Sequence, residues 1–442
     1  MPRIRVLLIA ESANPEAPSV PLVGWSHSRA LAELADVHLV TQLRTRDAIV
    51  RAGLVEGRDF TAIDSSRVLE PMFKVGEFFR GGARKKWTVF SAKGWATHTA
   101  FSALSYYYFE YLVWARFRVH IQAGEFDLVH RLLPLSPTIP SILATRCHKA
   151  GVPFILGPIN GGVPWPDGFD EIRKREREWI SLLRPLHKLL PGYRATRTHA
   201  SAIIVGARFT WQQIPELYRH KCVYIPENGI DVGQFKPGSQ GPIERPLRVA
   251  FVGRLVPLKG VDMLLEAAAP LVKEKKIVVD IIGDGPEMPR LRALVDRAGI
   301  DFGVKMEGWL DHDKLHDRLA QSQVFAFPSI RDFGGGVVIE AMALGLVPIV
   351  LDYAGPAELV TAKTGFLVKM GNRAEVVTRL RDILEQIVCE PSRILSMQES
   401  ACRRVRECFA WEAKARQVLQ VYEWILGRRA DKPDFGMPLS DP

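Results

Sequence analysis

Apolar residues along this chain fall into short unbroken blocks, each closed by glycine, proline or a polar turn. Between the blocks the apolar spacing relaxes to every third or fourth position. Unbroken blocks read as strands buried on both faces, and the wider spacing reads as helices lying over them. In the first half the blocks predict strands at 3–10, 37–41, 128–130, 153–156, 202–205 and 223–225, with a helix at 26–34. Residues 232–246 then lose periodicity and hold three prolines and three glycines, which predicts a linker. Beyond it the pattern restarts, with strands at 247–252, 277–282, 304–307, 324–327, 347–350 and 366–368. Helices are predicted at 261–272, 288–298 and 312–321, and three more at 372–387, 392–408 and 411–427. Such alternation means doubly wound parallel sheets, whose ligands bind beyond the carboxyl ends of the strands. The residues directly after each strand are therefore the ones to inspect.

A chain of 442 residues exceeds one ordinary core. The pattern divides it into an N-terminal domain over 1–235, a second α/β domain over 236–410, a helix over 411–429 and a proline-bearing tail over 430–442 that reads as disordered. The opening residues carry too short an apolar run for a signal peptide and read as the first strand. No window of 18 uninterrupted apolar residues occurs, so no membrane span is predicted.

Charge changes this picture in one respect. Residues 1–240 hold 31 Lys+Arg and 21 Asp+Glu, whereas 241–442 hold 28 of each, so the net charge of +10 lies wholly in the first half. A one-sided basic field attracts anionic membranes, nucleic acid or polyanionic substrates. Basic and aromatic residues mix at 72–97 and 171–197, around a dense aromatic helix at 98–121. These segments read either as a solvated face over a buried helix or as a membrane-surface patch. Five scattered cysteines without C-x-x-C spacing argue for a reducing compartment and against a zinc site.

The strongest chemical signal lies at 324–358. A strand runs into a loop with Asp332, then Gly334, Gly335 and Gly336, then a helical pattern carrying Glu340. Consecutive glycines let backbone N–H groups approach an anion, and the helix start behind them favours negative charge. The two carboxylates suit hydroxyls better than phosphate, so the set suits a nucleotide-sugar. A second signal is FVGRLVPLKG at 251–260, where Gly253, Arg254 and Lys259 follow a strand. Two cations there suit a diphosphate, against the alternative of a solvated loop. The turn at Gly283 repeats the theme weakly. Trp309, with Leu310 beside it, lines a base pocket or packs in the core. In the first half His130 ends a strand, where a lone histidine is more often structural than functional. Asn160, Gly161 and Gly162 lie in a Gly- and Pro-rich loop shaped for close approach. Gly24 precedes the first predicted helix, where it can expose backbone N–H groups.

Taken as an ordered set, PENGID, GRLVPLKG, GDGPE, EGWL, the Asp-x7-Glu box and GFLV resemble the retaining nucleotide-sugar glycosyltransferases of family 4 (glycosyl transferases group 1), which have a GT-B fold. The resemblance implies two Rossmann-like domains facing a central cleft, with the C-terminal helix crossing back to the first. It implies that Arg254 and Lys259 neutralise the donor pyrophosphate and that Glu340 accepts from the ribose. Asp332 would accept from the transferred sugar, the Gly334–Gly336 amides would contact sugar and phosphate, and His130 would bind the sugar from the first domain. Gly253, Gly283, Trp309 and Leu310 join the donor side, and Gly24, Asn160, Gly161 and Gly162 the acceptor side. No metal and no cofactor is expected, because cationic side chains take the place of a divalent ion. The donor box departs from the family at two positions, with Asp332 for the usual Glu and Phe333 for the usual Gly, and the usual N-terminal glycine pair is reduced to Gly24.

The implied partners are a nucleoside-diphosphate sugar and a glycan or lipid-linked acceptor, with an anionic membrane surface as a candidate third. Nucleic acid is not expected, because no reading module is visible. The implied location is cytoplasmic, peripheral on the membrane if the basic segments bind it. The rivals are a GT-B epimerase acting on the same donor type and a non-catalytic sugar- or polyanion-binding protein.

Overall fold

The computed structural model describes residues 2–66, 95–175, 187–238 and 245–435. Two parallel sheets carry the fold. The first holds β1 (Arg5–Ile9), β2 (Asp36–Gln42), β3 (Phe60–Ile63), β4 (Leu128–Arg131), β5 (Phe154–Ile159), β6 (Ala202–Val205) and β7 (Cys222–Tyr224), in the order β3-β2-β1-β4-β5-β6-β7. The second holds β8 (Leu247–Val252), β9 (Ile277–Ile282), β10 (Val304–Gly308), β11 (Val324–Phe327), β12 (Val347–Leu351) and β13 (Phe366–Val368), in the order β10-β9-β8-β11-β12-β13. In each sheet the winding direction reverses once, between β1 and β4 and between β8 and β11. The alternation implied two doubly wound sheets and the family resemblance a GT-B pair of Rossmann-like folds, and the strand orders agree with both. Strand β3 has no counterpart in the sequence reading, since its FTAI is short and half-exposed at its middle positions.

The chain divides into two compact units that interleave in sequence. One comprises Met1–Gly162, Glu178–Glu227 and Lys414–Pro442, and the other Val163–Arg177 and Asn228–Ala413. The boundary thus falls at Glu227 and not at 235, and residues 163–177 belong with the second unit. Phe169 is buried in that unit's core, and Trp165 and Ile172 pack against it. A loop with three such apolar side chains gains more from an existing core than from solvent. The C-terminal helix, Trp411–Ile425, joins the first unit from Lys414 onward. Ala415, Val418, Val421 and Tyr422, spaced along one helical face, are buried in the first unit's core. The tail expected to be disordered begins in place: Pro433 is buried and Phe435 packs on the same core. Residues 436–442 lie outside the described residues.

The aromatic helix, Trp95–Gln122, buries Tyr106, Phe109, Val113, Phe117 and Ile121 against the first sheet. Their spacing of three and four makes one apolar stripe. Tyr111 and Val119, off that stripe, are exposed. Of the two basic–aromatic segments, 72–94 and 176–186 lie outside the described residues. No helix among the described residues is long and apolar enough to cross a membrane.

Candidate active site

The second sheet reverses between β8 and β11, so the loops after those two strands diverge there and leave a crevice at their carboxyl ends. The loop after β8 turns through Gly253, Arg254 and a short 3-10 helix, Pro257–Lys259, into the helix Val261–Lys273. Gly260 makes that entry in the left-handed region, at φ 68°, and a Cβ there would run into the Pro328 carbonyl. Gly283, after β9, lies against the Gly253 carbonyl so closely that no side chain fits. Only glycine permits the turns after β8 and β9 to approach this way. The sheet end is thereby lined with backbone.

The loop after β11 delivers Asp332 to the same place. Lys259 Nζ donates directly to Asp332 Oδ2, and both side chains are largely buried. The ammonium also lies 4.8 Å from the centroid of Phe327. Asp332 Oδ1 accepts from Gly335 N at 3.0 Å and from Gly334 N at 3.3 Å. The phosphate cation and the sugar acceptor named from sequence are thus paired with each other. Two amides expected to face the donor hold the same carboxylate. In electrostatic terms Asp332 occupies the role a phosphate would take: an anion in a nest of a lysine and two N–H groups. Gly335 caps the helix Gly336–Ala343, at φ 60°, and Glu340 sits just over one turn into it. Gly336 lies beside Asn228 of the PENGID turn.

Arg254 is exposed on the first of these loops. Trp309 follows β10 and is 78 % exposed, so the core-packing alternative is ruled out for it. Gly283 N donates to the Gly308 carbonyl at 2.7 Å, which puts the start of Trp309 next to the Gly283 turn. Leu310 is half-buried against the second unit's core. Behind the Asp332 loop, buried Arg331 donates through Nε to the Val163 carbonyl at 3.0 Å. Its guanidinium lies 5.2 Å from the Trp165 ring and 5.4 Å from Phe333. Tyr353 donates its hydroxyl to the Pro164 carbonyl at 3.0 Å. Residues 163–165 therefore brace the Asp332 loop, and Phe333, the departure from the family's glycine, forms one side of that stack.

The first unit corrects several expectations. His130 is fully buried, with both ring nitrogens engaged. Nε2 meets the Gly157 carbonyl at 2.6 Å and Nδ1 meets the Tyr422 hydroxyl at 2.6 Å. A carbonyl only accepts, so Nε2 carries the proton and Nδ1 accepts from Tyr422. Burial pushes the imidazole pKa down to about 4. His130 is a neutral tie between β4, the loop in β5 and the C-terminal helix, with no face left for a sugar. Asn160 is likewise engaged: its Nδ2 donates to both Glu227 oxygens, at 2.8 and 2.9 Å, and its Oδ1 accepts from Thr210 at 3.2 Å. Gly161 N donates to Thr210 Oγ1, and Gly162 packs on Gln213. Asn160 ties the end of β5 to the end of β7, and Gly161 and Gly162 tie it to the helix after β6. Gly24 is inside its helix, which begins at Val20, and so lies past the four N–H groups a helix leaves free. A Cβ there would press on the end of the Leu133 side chain.

Sequence reading passed over Glu11, just past the end of β1, and Gln42 and Arg131, the last residues of β2 and β4, which flank β1 near the reversal of the first sheet. Glu11 directly follows the first strand block, and the rule of inspecting strand ends would have found it. Burial raises its carboxyl pKa to about 7, against the nearby Arg131 and Arg44 guanidiniums, which lower it. Among the described residues no group of three or more His, Cys, Asp or Glu side chains is placed to hold a metal ion.

Comparison with known proteins places the chain. Residues 234–394 match the family model described as glycosyl transferases group 1. The chain is 30% identical over 316 residues to a GDP-mannose-dependent alpha-mannosyltransferase of Mycobacterium tuberculosis, an alignment covering 69% of this chain and 74% of that protein. It is 29% identical over 237 residues to a D-inositol 3-phosphate glycosyltransferase of Streptomyces avermitilis, covering 48% of this chain and 50% of that one. For that relative and others like it, the matched region spans only about half their length. Among solved structures, a glycosyltransferase from Rickettsia africae superposes with a TM-score of 0.59 at 16% identity, over 97% of this chain and 100% of that one. Anabaena Alr3699/HepE in complex with UDP superposes at 0.57 and 14% identity, over 94% and 99%. At these identities the structures speak for the fold alone.

Proposed function

This chain belongs to the group 1 glycosyl transferases, family 4 of the GT-B fold, and from that premise we propose that it transfers a hexose from a nucleoside-diphosphate sugar to a hydroxyl acceptor with retention of configuration. The single observation that carries the reading is the Lys259–Asp332 pair set among the Gly334 and Gly335 amides at the reversal of the second sheet. Donor phosphate takes over Lys259, and Asp332 turns to the sugar hydroxyls. Arg254 adds a second cation, Glu340 accepts from the ribose, and Trp309 offers a face to the base. As the anomeric C–O bond breaks, negative charge grows on the β-phosphate, where preorganised donors lower the barrier. The acceptor oxygen forms the new bond on the same face, and its proton passes to the departing phosphate. No enzyme base and no metal ion is needed for that balance. One relative's printed name, D-inositol 3-phosphate glycosyltransferase, supports a polyhydroxylated acceptor.

The reading is tested by nuclear magnetic resonance of the product linkage, made from UDP- and GDP-sugars in excess chelator. Retained configuration at full rate is expected. An inverted linkage, or activity abolished by chelator, overturns it. Epimerised donor in the absence of any acceptor would show the rival epimerase instead.

We further place the enzyme on the cytoplasmic side, with its acceptor lipid-linked and presented at an anionic membrane in a cell-surface glycan pathway. The charge excess confined to residues 1–240 supports this. Each Lys or Arg near such a surface contributes on the order of 1 kcal/mol. Sedimentation with vesicles of graded anionic lipid content is the test, and equal binding to neutral and anionic vesicles removes the membrane from the reading.

A further inference from the structure

Three polar side chains in the first unit reach the end of the sheet on one face. Along β1, Leu7 and Ile9 face the aromatic-helix core while Leu8 and Ala10 face the other. Val40 on β2 and Val129 on β4 share the face of Leu7 and Ile9. Side chains alternate along a strand, so Glu11, Gln42 and Arg131 continue that same face. Register agrees: Ile9 pairs with Val40 on one side and with Arg131 on the other. The ladder runs on past β1, with Gln42 N donating to the Glu11 carbonyl at 3.0 Å. Glu11 therefore sits between Gln42 and Arg131, at the point where the sheet reverses, which is where open α/β sheets bind ligands.

Each of the three has a polar atom without a partner. Glu11 Oε2, Gln42 Oε1 and Arg131 Nε are out of solvent contact and make no hydrogen bond. Gln42 is 6% exposed and Arg131 1%. The rest of the Arg131 guanidinium is fixed: it donates to the Ile139 carbonyl at 2.8 Å and the Pro134 carbonyl at 3.3 Å, and lies over Tyr106. Buried polar atoms left unpaired cost about 1–3 kcal/mol each, so three together call for an explanation. Two are acceptors and one is a donor. An ammonium ligand would meet Arg131 and Arg44, and a phosphate would meet Glu11. A neutral pair of hydroxyls satisfies all three.

We propose that Glu11, Gln42 and Arg131 form an acceptor subsite that takes a vicinal diol, its two hydroxyls donating to Glu11 and Gln42 and one of its oxygens accepting from Arg131 Nε. The proposal rests on the transferase reading and names the acceptor chemistry of that reaction. It also assigns to the first unit a binding role that His130, Asn160 and Gly24 do not fill.

The test is saturation-transfer nuclear magnetic resonance on the full chain, with myo-inositol, methyl α-mannopyranoside and glucosamine as probes. The two neutral polyols should bind at millimolar concentration, and Gln42→Leu should weaken them about tenfold, the loss of one hydrogen bond. Glu11→Leu should weaken them by at least as much. Leucine at 42 removes that residue's own unpaired oxygen, so the melting temperature should hold or rise while polyol binding falls. A purely structural Gln42 would give a changed melting temperature and unchanged binding. Unchanged polyol binding in both folded variants overturns the proposal. So does preference for glucosamine, or failure of every polyol to bind, which would mean ordered water alone serves these atoms. Calorimetry with UDP and GDP on the same samples separates the two readings. Nucleotide binding without polyol binding sinks the subsite alone, whereas no nucleotide binding sinks the transferase reading.

Discussion

The two sheets reverse in the same way, yet the chemistry at their reversals differs. In the second unit the strand ends present a charged pair, Lys259 and Asp332, resting on glycine turns. In the first unit the equivalent place holds a buried trio, Glu11, Gln42 and Arg131, while the histidine and asparagine nearby are consumed by the fold. Topology thus fixes where a ligand goes, and side chains fix what kind. A nest of a cation and N–H groups suits a diphosphate that arrives with its own charge. Unpaired neutral-ligand groups suit hydroxyls, which must be recognised one hydrogen bond at a time.

The contrast breaks most visibly at Lys259. Lys259→Ala should lower turnover by about 100-fold or more, the loss of one preorganised donor at the developing charge. Steady-state rates measured at saturating donor decide it. A loss of less than tenfold would mean the charged pair is structural and the two units do not differ as described.

Glu11 should reveal itself through pH. Its pKa is raised to about 7, from an ordinary value of 4.5, by burial. The unfolded chain therefore ionises first, and Glu11 removes stability as pH rises from 4.5 to 7. Glu11→Gln should abolish that slope and gain up to about 3 kcal/mol at and above pH 7, at 1.36 kcal/mol per unit. Denaturant melts of both proteins between pH 4.5 and 8 read the difference, and parallel curves would remove Glu11 from the desolvated cluster.

His130 has the opposite sign. Its pKa is lowered to about 4. The unfolded chain gains its proton first, so this contribution is lost as pH falls from 6.5 to 4. His130→Leu should destabilise the first unit by about 2–3 kcal/mol, because the Gly157 carbonyl and Tyr422 hydroxyl lose their partner. Nucleotide affinity should not change. Weaker nucleotide binding at full stability would return His130 to the donor site.

The smallest effect is the most discriminating. If Asp332 stands where phosphate will sit, Asp332→Asn should bind a free nucleoside diphosphate about 3–10-fold more tightly, since removing one competing charge is worth about 1 kcal/mol at a partly exposed pair. Transfer should fall in the same variant. Calorimetry showing weaker nucleotide binding would mean that Asp332 orders the loop and does not compete with the ligand.

Strand blocks, helix periods and the loop motifs were local, and the sequence by itself determined them. Twelve of the thirteen parallel strands follow from short apolar runs, and β3, too short and half-exposed, escaped. Lys259 was legible beside its strand end, and Asp332 beside its glycines, because each motif is written within a few residues. Tertiary structure decided the rest. That Lys259 and Asp332 hold one another depends on β8 and β11 lying side by side across 73 residues of sequence. That residues 163–177 join the second unit depends on a core they do not help to encode locally. The family resemblance made His130 a sugar ligand, and only the return of Tyr422, 292 positions later, closes its ring off. Local pattern records which face of a strand or helix is apolar, but not which distant group will arrive to satisfy a buried polar atom.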